Sequence, residues 1–330
     1  MTKINKSLCF AMIFCLVICL CSCGNNTEIK FGAGNKGGVY YKYAGFLNGL
    51  DSTDIKVKET AGSQANLRLL GKGFVDMAVV QSDVLSEAVN GTGDFKDERI
   101  DDVRSVAGLY METFQVIVPK DSDIKTISDL ENKRVSVGED GSGVAKNAEY
   151  ILNSAGLTLD KLKVENLTYS ESAEALKNNS IDAFFAVVGA PSEVVKDLSE
   201  TMDIRLVSLD ERTVSYMTNL YKGYYKATVS AGTYKGQDED VSTIGVKAVL
   251  VARSDMKSDS VKKVLSLIFD NKDKFASEFP FAAPDLDFAT SDIPCAFHDG
   301  SSEYFKSKDI TVDTGSDKRS DDLIFGSQDN

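Results

Sequence analysis

The sequence predicts an α/β protein built as two units, each a parallel sheet covered by helices. Three observations lead there. The order strand, turn, helix recurs along the chain, as it does where parallel strands are joined by crossover helices. A glycine-rich loop that follows a strand and opens a helix occurs twice, at residues 32–38 and 138–143. About 300 residues remain once an N-terminal leader is set aside, enough for two α/β units of ordinary size.

The leader comes first. Lys3 and Lys6 precede an apolar run of 14 residues, Leu8 to Cys21. That is short for a membrane span, which needs about 20, and it suits the core of a signal peptide. Leu20-Cys21-Ser22-Cys23-Gly24 resembles a bacterial lipobox. Cleavage there gives a signal peptide over 1–22, lipidation at Cys23 and a tether over 23–27. The other reading is a soluble secreted protein cut nearby by a general signal peptidase; polar Asn25, Asn26 and Thr27 favour the tether. Two or more acyl chains hold a protein stably at a membrane surface. Of the six cysteines only Cys295 falls in the body, so neither an intramolecular disulfide nor a metal-binding cysteine cluster is expected.

In the body, Glu28 to Phe31 reads as a strand, the loop 32–38 follows, and Val39 to Leu50 is an aromatic-rich helix. Ile55 to Thr60 alternates as a strand, a helix opens at Ser63 and runs through Leu70, and Ala78 to Gln81 is a buried strand. Val103 to Leu109 and Phe114 to Val118 read as two strands, and Ser128 to Lys133 as a capped short helix with a turn. Arg134 to Val137 begins a second βαβ unit. Its helix sets Val144, Ala148, Ile151, Leu152 and Ala155 on one face at amphipathic spacing. Val164 to Leu167, Ala183 to Val188 and Val246 to Ala252 are further strands, and a helix runs from Ser258 to about Phe275. The stretch from Thr311 onward is polar and acidic, and much of it is expected to be mobile.

Three loops, 32–38, 60–63 and 138–143, each follow a strand and open a helix. The exposed N–H groups and dipole of a helix start favour an anion. Ser142 adds a hydroxyl to the third of these loops, and Ser63 is a candidate cap in the second. The first loop lacks Gly-x-Gly-x-x-Gly spacing and the Lys-Ser/Thr ending of a P-loop, so neither a dinucleotide nor a nucleoside triphosphate site is indicated. Lys36, inside it, either pairs with a ligand carboxylate or is a solvated surface residue. Gln81 stands at the carboxyl end of its strand, where ligands bind in open α/β sheets. Tyr40, Tyr41 and Tyr110 either meet a small ligand or pack in the core.

Charge and composition narrow the function. Without the leader the chain carries 35 basic against 50 acidic residues, a net charge of −15. Nucleic-acid binding needs clustered lysine and arginine, and is excluded. His298 is the one histidine, and no nucleophile elbow, HExxH or metal cluster occurs. Catalytic and metal sites, cofactors and enzyme activity are not expected.

Seven segments in order resemble the solute receptors of TRAP transporters of the TAXI family: Gly34 to Tyr41, Ala61 to Leu70, Asp76 to Asp83, Leu130 to Gly143, Ile181 to Pro191, Ala231 to Val241 and Ile293 to Phe305. Departures fall at Lys36, Val144, Asp299 and Ser301. The resemblance implies a type II periplasmic-binding-protein fold, two α/β lobes with a ligand cleft between them and crossing hinge strands. The first lobe would take 28–131 and 242–310 and the second 132–241, with 311–330 a polar tail. By the same resemblance Gly34, Gly38, Tyr40, Ser63, Gln81 and Tyr110 line one wall, and Gly141, Ser142, Gly143 and the Val188-Gly189-Ala190 turn the other. The implied ligand is a small carboxylate such as glutamate, glutamine or 2-oxoglutarate, and the implied partner a TRAP-type membrane permease. The implied location is extracytoplasmic, at the membrane through the lipid anchor. A ligand-sensing receptor for a membrane sensor kinase, using the same cleft, is the alternative.

Overall fold

The computed structural model describes residues 28–50 and 54–315, so the leader, Cys23 and the tether lie outside the described residues. The first half is β1 (Ile29–Gly32), α1 (Val39–Leu50), β2 (Ile55–Lys58), α2 (Ser63–Gly71), β3 (Met77–Gln81), α3 (Ser82–Asn90) and the long β4 (Val103–Pro119). The second holds β5 (Arg134–Ser136), α4 (Gly143–Ser154), β6 (Lys163–Glu165), α5 (Tyr169–Lys177), β7 (Ala183–Val188) and α6 (Glu193–Thr201). It continues through β8 (Ile204–Leu206), α7 (Glu211–Leu220) and β9 (Tyr224–Val229) into the long β10 (Val241–Arg253). The chain then adds α8 (Ser258–Asp270), α9 (Lys272–Glu278), α10 (Leu286–Thr290) and α11 (Asp299–Lys306). None of the described helices is long and apolar enough to cross a membrane.

The strands join in the order β2-β1-β3-β10-β4-β7-β5-β6, with β8 on β4 and β9 on β10. Each half repeats one pattern: its second strand, first strand and third strand lie in parallel, and the third pairs antiparallel with a long strand. In β3 every residue is buried, as a strand covered on both faces must be.

The two long strands carry the chain between lobes. In β4, Val106, Leu109 and Tyr110 belong to the core of the first lobe, while Phe114, Val116 and Val118 belong to that of the second. β10 runs the other way, from Ile244 and Val246 in the second core to Ala248 and Leu250 in the first. The sheet is thus continuous while the apolar cores are separate, and the change of lobe falls where Glu112 pairs with Val246 and Thr113 with Gly245.

The structure differs from the sequence reading at four places. The two strands expected over 103–118 are one, because polar Glu112 and Thr113 interrupt the apolar run without interrupting the ladder. The helix expected to reach Phe275 breaks at Asn271, whose φ of −111° and ψ of 28° leave the helical region and whose side chain bonds the Leu267 carbonyl. The capped short helix with a turn expected over Ser128 to Lys133 is present, but it is 3-10 and starts earlier, over Ile127–Leu130, capped by Thr126 and Asp129. Beyond Thr311, Val312 is buried and Asp313 accepts a bond from the Phe297 amide at 2.8 Å, so the start of the polar tail is packed.

Candidate functional site

Between the lobes, against the crossing strands, lies a small cavity of about 60 Å³. Four helices begin at it. α1 and α2 come from the first lobe, entering at Gly38-Val39 and Gly62-Ser63, and α4 and α5 from the second, entering at Ser142-Gly143 and Thr168-Tyr169. Each start presents N–H groups without intrahelical partners and the positive end of a dipole.

Local chemistry sets these starts differently. α4 is capped by Ser142, whose Oγ accepts from the Ala145 amide at 3.1 Å. α5 has a full capping box between Thr168 and Glu171. α2 has no side-chain cap: the residue before it is Gly62, at φ 122° and ψ −150°, a conformation essentially confined to glycine. The expected cap, Ser63, lies one residue inside, and its Oγ instead accepts from the Gln81 amide at 3.0 Å, tying α2 to the end of β3. Asn66, fully buried, anchors the same region: its Nδ2 donates to the carbonyls of Val79 at 2.9 Å and Gly32 at 3.3 Å, and its Oδ1 accepts from Thr60. Thr60 Oγ1 in turn accepts from the Gly34 amide at 2.9 Å, so one side chain holds two of the cavity's loops.

The cavity also contains Glu112, on β4 at the crossing and 2% exposed. Tyr40 donates to its Oε2 at 2.7 Å. Burial pushes its carboxyl up to about 8, against the opposing bonds from Tyr40 and Gln81. Glu139 lies on the opposite wall; burial raises its carboxyl as well, and Asn35 of the other lobe donates to its Oε2 at 2.6 Å. The lining residues include no lysine, arginine or histidine.

Seven of the residues singled out from the sequence meet here: Gly34, Gly38, Tyr40, Ser63, Gln81, Ser142 and Gly143. Gln81 reaches across the cleft, since a Cβ added to Gly143 would stand 1.9 Å from its Oε1. Five others lie outside the lining. Lys36 is exposed and pairs with Glu59 at 3.3 Å, because its loop turns the side chain to solvent. Tyr110 is core, 2% exposed, edge-on to Phe281 and with its hydroxyl unpartnered. Gly141, at φ 73°, supplies the turn before α4 with open space around it. Gly189 is covered by Phe281, whose ring would stand 2.2 Å from an added Cβ, and Ala190 follows it out of the cavity. Of that turn only Val188 lines the wall.

Sequence reasoning passed over Glu112, Glu139, Tyr169 and a buried ionic cluster behind the cavity. In the cluster Lys146 on α4 lies 2.9 Å from Asp83 and 3.2 Å from Glu87, both on α3. Asn147 joins it to the cavity, donating to Asp83 Oδ2 and Gln81 Oε1, each at 3.2 Å. Tyr224 gives Asp83 Oδ2 a third bond at 2.8 Å. Asp83 offered a signal, two residues past a strand end already marked as a site. Lys146 offered none, being hidden in an amphipathic pattern.

Comparison with known proteins agrees with this architecture. A Prochlorococcus marinus protein solved in complex with methylphosphonate is 13% identical, with a TM-score of 0.51 over 91% of this chain and 97% of its own. A Bordetella bronchiseptica protein is 16% identical, with a TM-score of 0.51 over 78% of this chain and 76% of its own. At these identities the likeness is one of fold, and the fold is that of type II periplasmic solute-binding proteins. The model of the NMT1-like family matches residues 31–308; nearly the whole body of the chain is thereby covered, and the protein belongs to the NMT1-like family.

Proposed function

We propose that this protein is the solute-binding receptor of a membrane transporter. It captures a small carboxylate such as glutamate, glutamine or 2-oxoglutarate and delivers it to a TRAP permease of the TAXI type. One observation carries the reading: four helix starts, two from each lobe, converge on a cavity enclosed between the lobes. Such starts bind carboxylates without assistance from a cation, and contacts made from both lobes at once favour the shut state. The seven ordered segments support the TAXI assignment. The lobe limits expected from the sequence, 28–131 with 242–310 and 132–241, move in this reading to the crossing of β4 and β10, because Phe114 to Leu130 and Ile244 to Val246 pack in the second core. The ligand contacts of Gly34, Gly38, Tyr40, Ser63, Gln81, Ser142 and Gly143 belong to the same reading.

The receptor makes and breaks no bonds. Export with lipidation at Cys23 places it outside the cytoplasm and holds it at the membrane beside its permease. Calorimetry of refolded, ligand-free protein against a metabolite panel is the test. Binding of an acidic metabolite or amino acid well below millimolar supports the reading, and none better than millimolar overturns the ligand class. Radiolabelled palmitate incorporated by the wild type and lost in Cys23→Ser tests the anchor.

A further inference from the structure

The ionisable side chains lining the cavity are acids and tyrosines with no base among them, so a ligand ammonium has a counter-ion available there while a ligand carboxylate has the helix starts and neutral donors. The lining holds Glu112 and Glu139 and no cationic side chain. The buried ammonium of Lys146 is taken up by Asp83 and Glu87, and that of Lys247 by the Ser291 and Phe288 carbonyls. Among the described lining residues, positive potential comes from the helix starts, about half an elementary charge each. A ligand whose only charges are carboxylates meets donors there, but also a buried carboxyl at the crossing strands. A ligand with both signs finds a complement for each.

Resting on the small-carboxylate reading, we propose that the ligand is an α-amino acid zwitterion, that its ammonium docks on Glu112 while its carboxylate lies against the helix starts, and that Glu112 is the residue that discriminates against the matching 2-oxo acid. The geometry suits this division. Tyr40 donates to one oxygen of Glu112 and thereby orients the carboxyl. Gln81, which can donate and accept, stands between this group and the start of α4.

The proposal has a protonic signature. Burial raises the Glu112 carboxyl to about 8 and so keeps it protonated at neutral pH. An arriving ammonium favours the carboxylate, so the carboxyl proton leaves to solvent as the ligand binds. The titratable groups facing Glu112 are Tyr40 from α1, Tyr169 from α5, Tyr110 on its own strand and Asp83 from α3. On the neighbouring β10, Lys247 is engaged as described. Burial holds all three tyrosines far above neutral pH, so none of them supplies the proton.

The test is calorimetry on refolded, ligand-free protein at pH 7 in two buffers of different ionisation enthalpy. The probes are the proteinogenic amino acids, each with its 2-oxo counterpart, glutamate with 2-oxoglutarate among them. The expected result is an amino acid that binds about 30-fold or more tightly than its oxo partner, with release of roughly 0.5–1 proton. Glu112→Gln keeps the shape and should abolish both the preference and the proton release. Equal binding of an oxo acid, or proton uptake on binding, would mean that protonated Glu112 donates to a carboxylate; that overturns the inference and leaves the small-carboxylate reading standing. Absence of binding by either set removes both. If Glu112→Gln does not fold, the wild-type preference and proton count still decide.

Discussion

Lys146→Met withdraws an ammonium that is 1% exposed and leaves two carboxylates facing the gap. In the wild type Asp83 Oδ2 receives Lys146, Asn147 and Tyr224, while Oδ1 has no partner. Removing one member of a buried ion pair costs about 3–5 kcal/mol, because the other charge stays desolvated. In a body of some 300 residues that lowers Tm by roughly 5–8 °C. Part of the cost has an escape route. The ammonium is on the second lobe and its acceptors on the first, so parting the lobes lets water reach Asp83. Ligand affinity should therefore fall as well, by up to about 150-fold for a 3 kcal/mol penalty on the shut state. Urea melts with and without ligand, beside small-angle scattering of the ligand-free protein, separate the two effects. Adding Asp83→Asn removes the stranded charge and should recover more than half of the loss. A single-variant loss under about 1 kcal/mol, or strict additivity of the pair, would refute the account of the cluster as a bond between lobes.

Other parts of the cleft give independent predictions. Gly62→Ala forces a side chain into the φ 122° conformation and should cost about 1–3 kcal/mol in urea denaturation; an unchanged midpoint would show that the loop relaxes freely. Asn66→Ala strands the carbonyls of Val79 and Gly32 and should cost about 1–3 kcal/mol, with a loss of ligand affinity because the loops at Gly34 and Thr60 are released together. The raised Glu112 carboxyl ties stability to pH. The folded state holds this proton between the ordinary 4.5 and about 8, so its contribution is complete below 4.5 and is lost as pH rises to about 8, at about 1.4 kcal/mol per pH unit at most. Melts of ligand-free Glu112→Gln from pH 5 to pH 9 should lack that slope; an identical slope would assign the proton elsewhere.

How far the sequence revealed the molecule depended on which signal each part used. β1 to β3 and their helices were legible because apolar period and turn chemistry agree there, and α1 falls on the residues its pattern indicates. That the glycine loops and Gln81 line one cavity was legible because strand ends and helix starts mark themselves locally. Glu112 was not. It is a charged residue at the centre of a buried strand, and by pattern alone it read as the gap between two strands. Lys36 was overvalued for the opposite reason: it lies in the right loop, but direction is set by Glu59, a partner 23 residues away. Lys146 and Asp83 find each other only through contact between lobes, at a separation of 63 residues.

The place of Glu112 on β4, at the point where both long strands change lobe, bears on the order in which a guest is gripped. A fulcrum travels least when the arms of a lever swing. On the proposed function, a handhold mounted there would keep its position in the gaping and the clasped receptor alike, whereas the amides that open α4 would arrive only with their arm. Capture would then proceed by mooring first and wrapping afterwards, and a substitution at the fulcrum should slow arrival while one at the start of α4 should hasten escape.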